Sequence, residues 1–414
     1  MLHFLVDGLC ACVLYQLLMT AALPQMAGAI LAYNVLAFLT QPLTGMAADR
    51  LRQPQLLLYG AVALLALGVA VSLLVVLSAT FATVMTPLFL GLGNSLFHVW
   101  GGRQVAVSTG NDARALGFFV APGALGLAVG MLLHAWWLAF AFLGLIVVLS
   151  LIPFAAVAPA ASGPSVRVRL PWLAVLVVMA FVVVRSLLGE GYSSELSSAG
   201  FPLLAIGCLA MVGKMAGGFV VRRAGALTTL LALAVLLLLL ALPQGLPASC
   251  LSLLLVNMTM AATLWLANAS MPGREGLTFG LLAAALMPGY LLAQFGSEGG
   301  MLVFWLLLTL LPTVLIELVV LWCLRERRAD VLWSSVAVNV LTNIPLHLFV
   351  IFVSDGLWAV VAGELVVLAV ETAWYRYFVE SWRQAFAYSF LCNGISCTAG
   401  VLIQQVMLLV SLQT

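Results

Sequence analysis

The residues able to do chemistry in this sequence are few, because most of it is apolar. Asp7, Arg185, Glu190 and Lys214 lie in or at the edge of long apolar runs. An ionised side chain at the centre of a bilayer costs roughly 2.5–3.5 kcal/mol on insertion scales, so each such group calls for a role. Asp7 sits about 10 Å along its run at the helical rise. A carboxyl isolated among apolar side chains is disfavoured as the anion, which suits it to carrying a proton. Arg185 cannot shed its charge and must meet an acid, water or an anion. Lys214 is the only lysine of the chain. It lies about 12 Å before the basic pair Arg222-Arg223, and its stem can span part of that distance. Together the two cations favour an anionic ligand. Plainer roles stay open: an edge-capping acid at Asp7, internal ion pairs at the cations. Asn94 and Asn257 can line a cavity or bond between helices.

A second constellation is a charged turn between two apolar runs, Gly45-Met-Ala-Ala-Asp49-Arg50-Leu51-Arg52. Gly45 lies one helical turn before Asp49 on the same face, where it permits close approach of another helix. An acid at a membrane edge can face a helix N-terminus and a nearby arginine. A weaker echo, Gly217-Gly218-Phe-Val-Val-Arg222-Arg223-Ala-Gly225, has Arg222 in place of the acid. On this reading a latch is lopsided, with its acid in the first copy alone. A stop-transfer charge cluster is the alternative.

A third set lies near the C-terminus. Asn339, Asn343 and His347 share one helical face; Glu364 and Glu371 share another; Asn393 stands with Ser389 and Ser396 on a third. Polar stripes of this kind bond helices to one another, relay protons or hold a metal. Two carboxylates and one histidine are too few to assign a metal, so no metal or cofactor is expected.

The elements that must position these groups follow from composition. Of 414 residues, 64% are hydrophobic and 7% charged, against roughly 25% charged in soluble domains. The chain is expected to be an all-α polytopic membrane protein, with lipid as its solvent. A net charge of +2 gives no electrostatic case for nucleic acid. The seven cysteines fall in or beside apolar runs and read as buried thiols. Six apolar runs of span length fill 1–157. A Pro/Gly-rich linker covers 158–171, six more runs fill 172–324, and three additional runs fill 325–414. Arg50, Arg52, Arg103, Arg114, Arg167, Arg169, Arg222, Arg223, Arg274, Arg325, Arg327, Arg328, Arg376 and Arg383 all fall in even-numbered connections. That bias predicts a cell-membrane protein with a cytoplasmic N-terminus and an outside C-terminus.

Six runs, a basic linker, six runs and a charged turn after runs 2 and 8 resemble the major facilitator superfamily. Its Gly-x-x-x-Asp-Arg signature is matched by Gly45, Asp49 and Arg50. Arg52 stands where the family has Gly, and Gln53 and Pro54 where it has basic residues. The resemblance implies that Asp49 meets the start of run 11, near Gly276 to Thr278, and Arg103, closing the cytoplasmic side. The stretches Gly91-Leu-Gly93-Asn94-Ser95-Leu-Phe97-His98, Gly117 to Gly130 and His3-Phe4-Leu-Val-Asp7 are similar to the fosmidomycin-resistance branch, with Val99 in place of its proline. That branch exports drugs against protons. The resemblance implies two six-helix bundles and proton-coupled export of a small organic compound, anionic or amphipathic, by alternating access. No phosphate-binding loop is present to suggest ATP chemistry. His98 reads as interfacial packing, a gate or a proton relay. The expected partners are a small molecule, protons and membrane lipid; oligomeric state is not legible. Two alternatives stay open. One is a membrane enzyme or lipid-handling protein using the Glu/His set of the last three runs. The other is a non-transporting scaffold or receptor on the same fold.

Overall fold

A computed structural model describes residues 1–19, 23–152, 171–240, 245–352 and 356–411; the linker read at 158–171 lies outside them up to residue 170. Among these residues there is no strand. The helices are α1 (Leu2–Leu18), α2 (Leu23–Asn34), α3 (Gln41–Arg50), α4 (Gln55–Ser72), α5 (Ala79–Ser108), α6 (Ala113–Leu133), α7 (Trp136–Ser150) and α8 (Pro171–Ser198). They continue as α9 (Leu203–Ala224), α10 (Ala226–Leu240), α11 (Leu246–Ser270), α12 (Glu275–Ala284), α13 (Leu286–Cys323), α14 (Ala329–Phe352), α15 (Leu357–Phe378) and α16 (Trp382–Ser411). Nine helices of the described residues are long and apolar enough to cross a membrane. The chain is an all-α, multi-pass membrane protein. Hydrocarbon offers backbone groups no partner, so apolar runs fold into helices that satisfy their own.

The chain divides into two compact units, Met1–Gln294 and Phe295–Thr414. The boundary falls within α13, which continues unbroken from Leu286 to Cys323. Gly296 to Gly300, read as a connection between two runs, is helical. Punctuation that ends a helix in water does so less readily where the backbone has no other partner.

In the first unit the core runs along α1, α5, α6, α11 and α12, around Leu9, Leu90, Phe97, Leu116 and Leu264. Helices α4, α7 and α10 turn Leu67, Trp137, Phe140, Leu231 and Leu238 outward. An exposed apolar belt of this kind suits lipid. Glycine brings backbones together where α1 crosses α6: a Cβ on Gly126 would strike the Phe4 carbonyl, and one on Gly130 the Gly8 carbonyl. Between α2 and α3 the chain makes a π turn, Val35–Leu39. Pro42, which brings no N–H, follows it in the first turn of α3. The Thr40 hydroxyl and Gln41 amide bond back to the Leu36 and Ala37 carbonyls at 2.6 and 2.8 Å. Local side chains thus patch the break.

In the second unit α15 packs on both α14 and α16. Glu326 precedes α14, taking the Arg327 and Arg328 backbone N–H groups at 2.9 and 2.8 Å. The Arg328 guanidinium holds the Glu326 carboxyl down at about 2.

Candidate functional site

At the charged end of the first unit, α3 and α12 approach backbone to backbone. A Cβ on Gly45 would strike the Gly276 carbonyl, and one on Gly280 the Gln41 carbonyl. That approach sets Asp49 against the N-terminus of α12. Its carboxylate accepts from Gly276 N and Leu277 N at 2.9 Å each, and from Arg103 Nε at 3.1 Å. The Asp49 side chain is only 2% exposed. Two backbone donors, a helix dipole and a guanidinium converge on one carboxylate, which is the favourable geometry for a buried acid. Arg50 lies exposed beside it.

A second ion pair stands at the same kind of position in the other half of the unit. Asp112 caps α6, accepting from Arg114 N at 2.9 Å and from its guanidinium at 2.8 Å. Arg222, at the end of α9, donates to Asp112 Oδ2 at 2.7 Å. The Arg114 contacts, followed by Arg222, hold the Asp112 carboxyl down at about 2. The turn containing Arg222 therefore has an acid partner, supplied by the loop before α6. The expectation that its latch is one-sided does not hold for the contacts. A polar chain runs between the two pairs. Asn111 Nδ2 donates to the Trp265 carbonyl at 3.1 Å, Asn268 Nδ2 to Asn111 Oδ1 at 3.0 Å, and the Thr278 hydroxyl to Asn268 Oδ1 at 2.6 Å.

Farther along the helices, the structure gathers Asp7 and Asn94 with two histidines. His3 Nε2 lies 3.2 Å from Asp7 Oδ2, His98 Nε2 lies 3.4 Å from Asp7 Oδ1, and Asn94 Nδ2 donates to Asp7 Oδ1 at 3.1 Å. His3 and Asp7 share a face of α1 four residues apart, as do Asn94 and His98 on α5. A Cβ on Gly123 of α6 would strike both the Asp7 carboxylate and the His3 ring. Glycine is what lets α6 lie over the group. The i, i+4 spacing of each pair was visible; that the two pairs face each other was not.

The remaining candidates are placed as follows. Arg185 of α8 is buried, and NH1 reaches Thr263 Oγ1 of α11 at 3.4 Å. Lys214 of α9 is half-buried, within electrostatic range of Arg185 and Asp7. Neither cation makes an ion pair among the described residues. Glu190 is half-buried. Asn257 bonds within its own helix, to the Leu253 carbonyl at 2.9 Å.

In the second unit Asn339 donates to Glu317 Oε2 at 2.6 Å. Glu371 takes Asn393 Nδ2 and lies 2.9 Å from Thr342 Oγ1 and 3.4 Å from Ser389 Oγ. Both glutamates are fully buried. His347 Nδ1 faces the Asn343 carbonyl at 2.9 Å, and Glu364 is half-buried. The stripe on α14 is thus met by two acids, Glu317 of α13 and Glu371 of α15. Glu317 stands outside the set read from the last three runs.

No known family profile matches the sequence, and no curated protein matches it. Among solved structures, the chain is similar to FucP, a major facilitator superfamily transporter in the outward conformation. Identity is 16%, over 70% of this chain and 89% of that one, with a TM-score of 0.49. It is also similar to human MFSD10 (TETRAN), an organic anion transporter, at 17% identity over 83% of this chain and 97% of that one, with a TM-score of 0.43. Neither likeness assigns a substrate.

Proposed function

We propose that the chain is a proton-coupled secondary transporter of the major-facilitator type, moving a small anionic organic compound by alternating access. The observation that carries this reading is a cationic interior. Arg185 is buried and Lys214 half-buried in one compact unit, without an ion-pair partner among the described residues. Arginine cannot escape by deprotonation. An uncompensated buried cation pair is costly for a scaffold but gives an anion-binding site its affinity. The Asp49 and Arg222 contacts give the same unit a closed charged end, built from interactions that can break and re-form at a membrane edge. Asp7, with the two histidines that face it, marks the group that takes up the proton. On this reading Asp49, Arg103 and the Gly45 contact form the cytoplasmic gate, and residues 325–414 are an appended module.

Proteoliposomes holding the purified full chain test it. Under an imposed proton gradient, a panel of aromatic and aliphatic carboxylates, phosphonates, neutral amides and amines is offered. The expected outcome is gradient-driven flux of at least one anion and of no amine, reduced more than tenfold by Lys214→Ala. Flux confined to cations or neutral compounds would refute the assignment of the site.

A further inference from the structure

Three acceptor groups converge where α1 meets α5. His3 Nδ1 lies 2.6 Å from the Phe119 carbonyl, and His98 Nδ1 lies 2.9 Å from the Asn94 carbonyl. A carbonyl oxygen only accepts, so each ring carries a hydrogen on Nδ1. In a neutral ring that leaves Nε2 as a bare lone pair. The two Nε2 atoms lie 2.8 Å apart, and both face the Asp7 carboxylate. Two lone pairs and an anion pressed together repel one another unless a cation sits among them.

We infer that His3, His98 and Asp7 together bind one proton, shared between the two Nε2 atoms and balanced by the Asp7 carboxylate. This rests on the transport reading for its purpose, as the coupling site, but not for its chemistry. A nitrogen–nitrogen distance of 2.8 Å is that of a hydrogen bond. A tetrahedral zinc with bonds of about 2.0–2.1 Å would hold two nitrogens about 3.3 Å apart. The same three side chains are close enough to be metal ligands, but the rings would first have to separate. The spacing matches a proton.

The charge balance gives the site a direction. Loaded, one imidazolium and one carboxylate sum to zero; unloaded, the group carries a single negative charge. The titratable groups within electrostatic range of it are Lys214 from α9, Cys10 from α1 and Tyr33 from α2. Of these, Lys214 alone carries charge. An unloaded site draws the Lys214 ammonium to itself, whereas a loaded site leaves it for the transported anion. Proton and anion therefore load together, rather than in the exchange implied by the resemblance to drug exporters.

The chain has four histidines, two of them His134 and His347. Their replacement by glutamine leaves the pair alone visible in 15N-histidine spectra of the full chain in lipid nanodiscs. The expected result is that both Nδ1 atoms stay protonated while both Nε2 signals move in one step, taking up one proton per two rings. Asp7→Asn abolishes that joint step. Independent titration of the rings, or two neutral rings from pH 5 to pH 9, overturns the shared proton. So does displacement of the shared signal by one equivalent of Zn2+ at micromolar concentration, which would make this a metal site. In wild-type proteoliposomes, affinity for the carboxylates of the transport panel rises as pH falls; affinity that rises with pH refutes joint loading. If no anion moves at all, the transport reading fails and the spectra still decide the proton site.

Discussion

Asp49→Ala should open the charged end of the first unit. The carboxylate receives two backbone N–H groups at the start of α12, both at 2.9 Å. Hydrogen bonds to a charged group contribute about 1.5–3 kcal/mol each. Taking the lower value for both, and nothing for the partly exposed Arg103, the contact is worth about 3 kcal/mol. If these bonds exist only when the end is closed, their loss shifts the closed-to-open ratio roughly 150-fold. Spin labels at Arg52→Cys and Pro272→Cys, both exposed positions, flank the contact. They require a background in which Cys208, Cys250, Cys323 and Cys397 are replaced. The expected result in nanodiscs is a narrow, short distance distribution for the parent protein. For Asp49→Ala it becomes a second, longer population that dominates. If the folded variant keeps the parent distribution, Asp49 does not hold this end closed, and the gate must be sought elsewhere.

Other expectations follow from the same contacts. The Asp112 carboxyl, at about 2 in the folded protein against 3.8 free, has a depressed value. Its stabilisation is thus fully present above pH 3.8 and lost as pH falls through 2. Because the pair is largely solvated, its worth stays under about 1 kcal/mol. Arg222→Gln should accordingly populate the open state far less than Asp49→Ala in the same label pair, and an equal effect would show the screening argument to be wrong. In the second unit, Glu371→Ala removes the acceptor shared by Asn393, Thr342 and Ser389 and leaves a void, at a cost of about 2–3 kcal/mol. Thr342→Val costs less than about 1 kcal/mol, since Glu371 keeps Asn393 and Ser389 as partners. Unfolding in detergent, followed by tryptophan fluorescence, separates the two; equal losses would mean that Thr342 is committed to Glu371.

What could be read along the chain was what depends on one helix at a time. Apolar length set the spans, and the spacing of Gly45 and Asp49 set a face. Its partners near Gly276 and at Arg103 came from a resemblance, and in the structure those residues touch. What escaped was rotation of one helix against another. Asp7 looked solitary because hydropathy carries no information on which faces of α1 and α5 meet, and His98 looked like an interfacial ring at the end of its own span. Two ordinary i, i+4 pairs, His3/Asp7 and Asn94/His98, become one group only when Gly123 lets α6 close over them. Asp112 was hidden in another way. It is a serviceable helix cap by itself, and nothing in its own loop points to Arg222. The continuity of α13 was missed because glycine was weighed as it would be in water.

The two charged turns also show what the fold needs at these positions. In one, the acid comes from the tip of α3 and reaches the first N–H groups of α12. In the other, the acid is the cap of α6 itself, and the turn contributes the cation, Arg222. Both place a carboxylate on the N-terminus of a helix, where the exposed N–H groups and the helix dipole favour negative charge. Both complete it with an arginine. The chain can therefore exchange which turn residue is acidic without losing a contact across the unit, because the fixed requirement is charge at the helix end. The two contacts nonetheless differ in strength. Asp49 is nearly sealed and holds two backbone donors of a helix from the other half, whereas Asp112 spends its best bonds on Arg114 within its own half. Only the Arg222 bond crosses, and it is exposed. On the proposed gate, an opening motion that separates the halves would break Asp49 away from α12 but let Arg222 slide off Asp112 with little loss. The asymmetry anticipated from the sequence does not lie in the presence of an acid; on the proposed gate it is expected in energy, with the larger cost of opening on the Asp49 side.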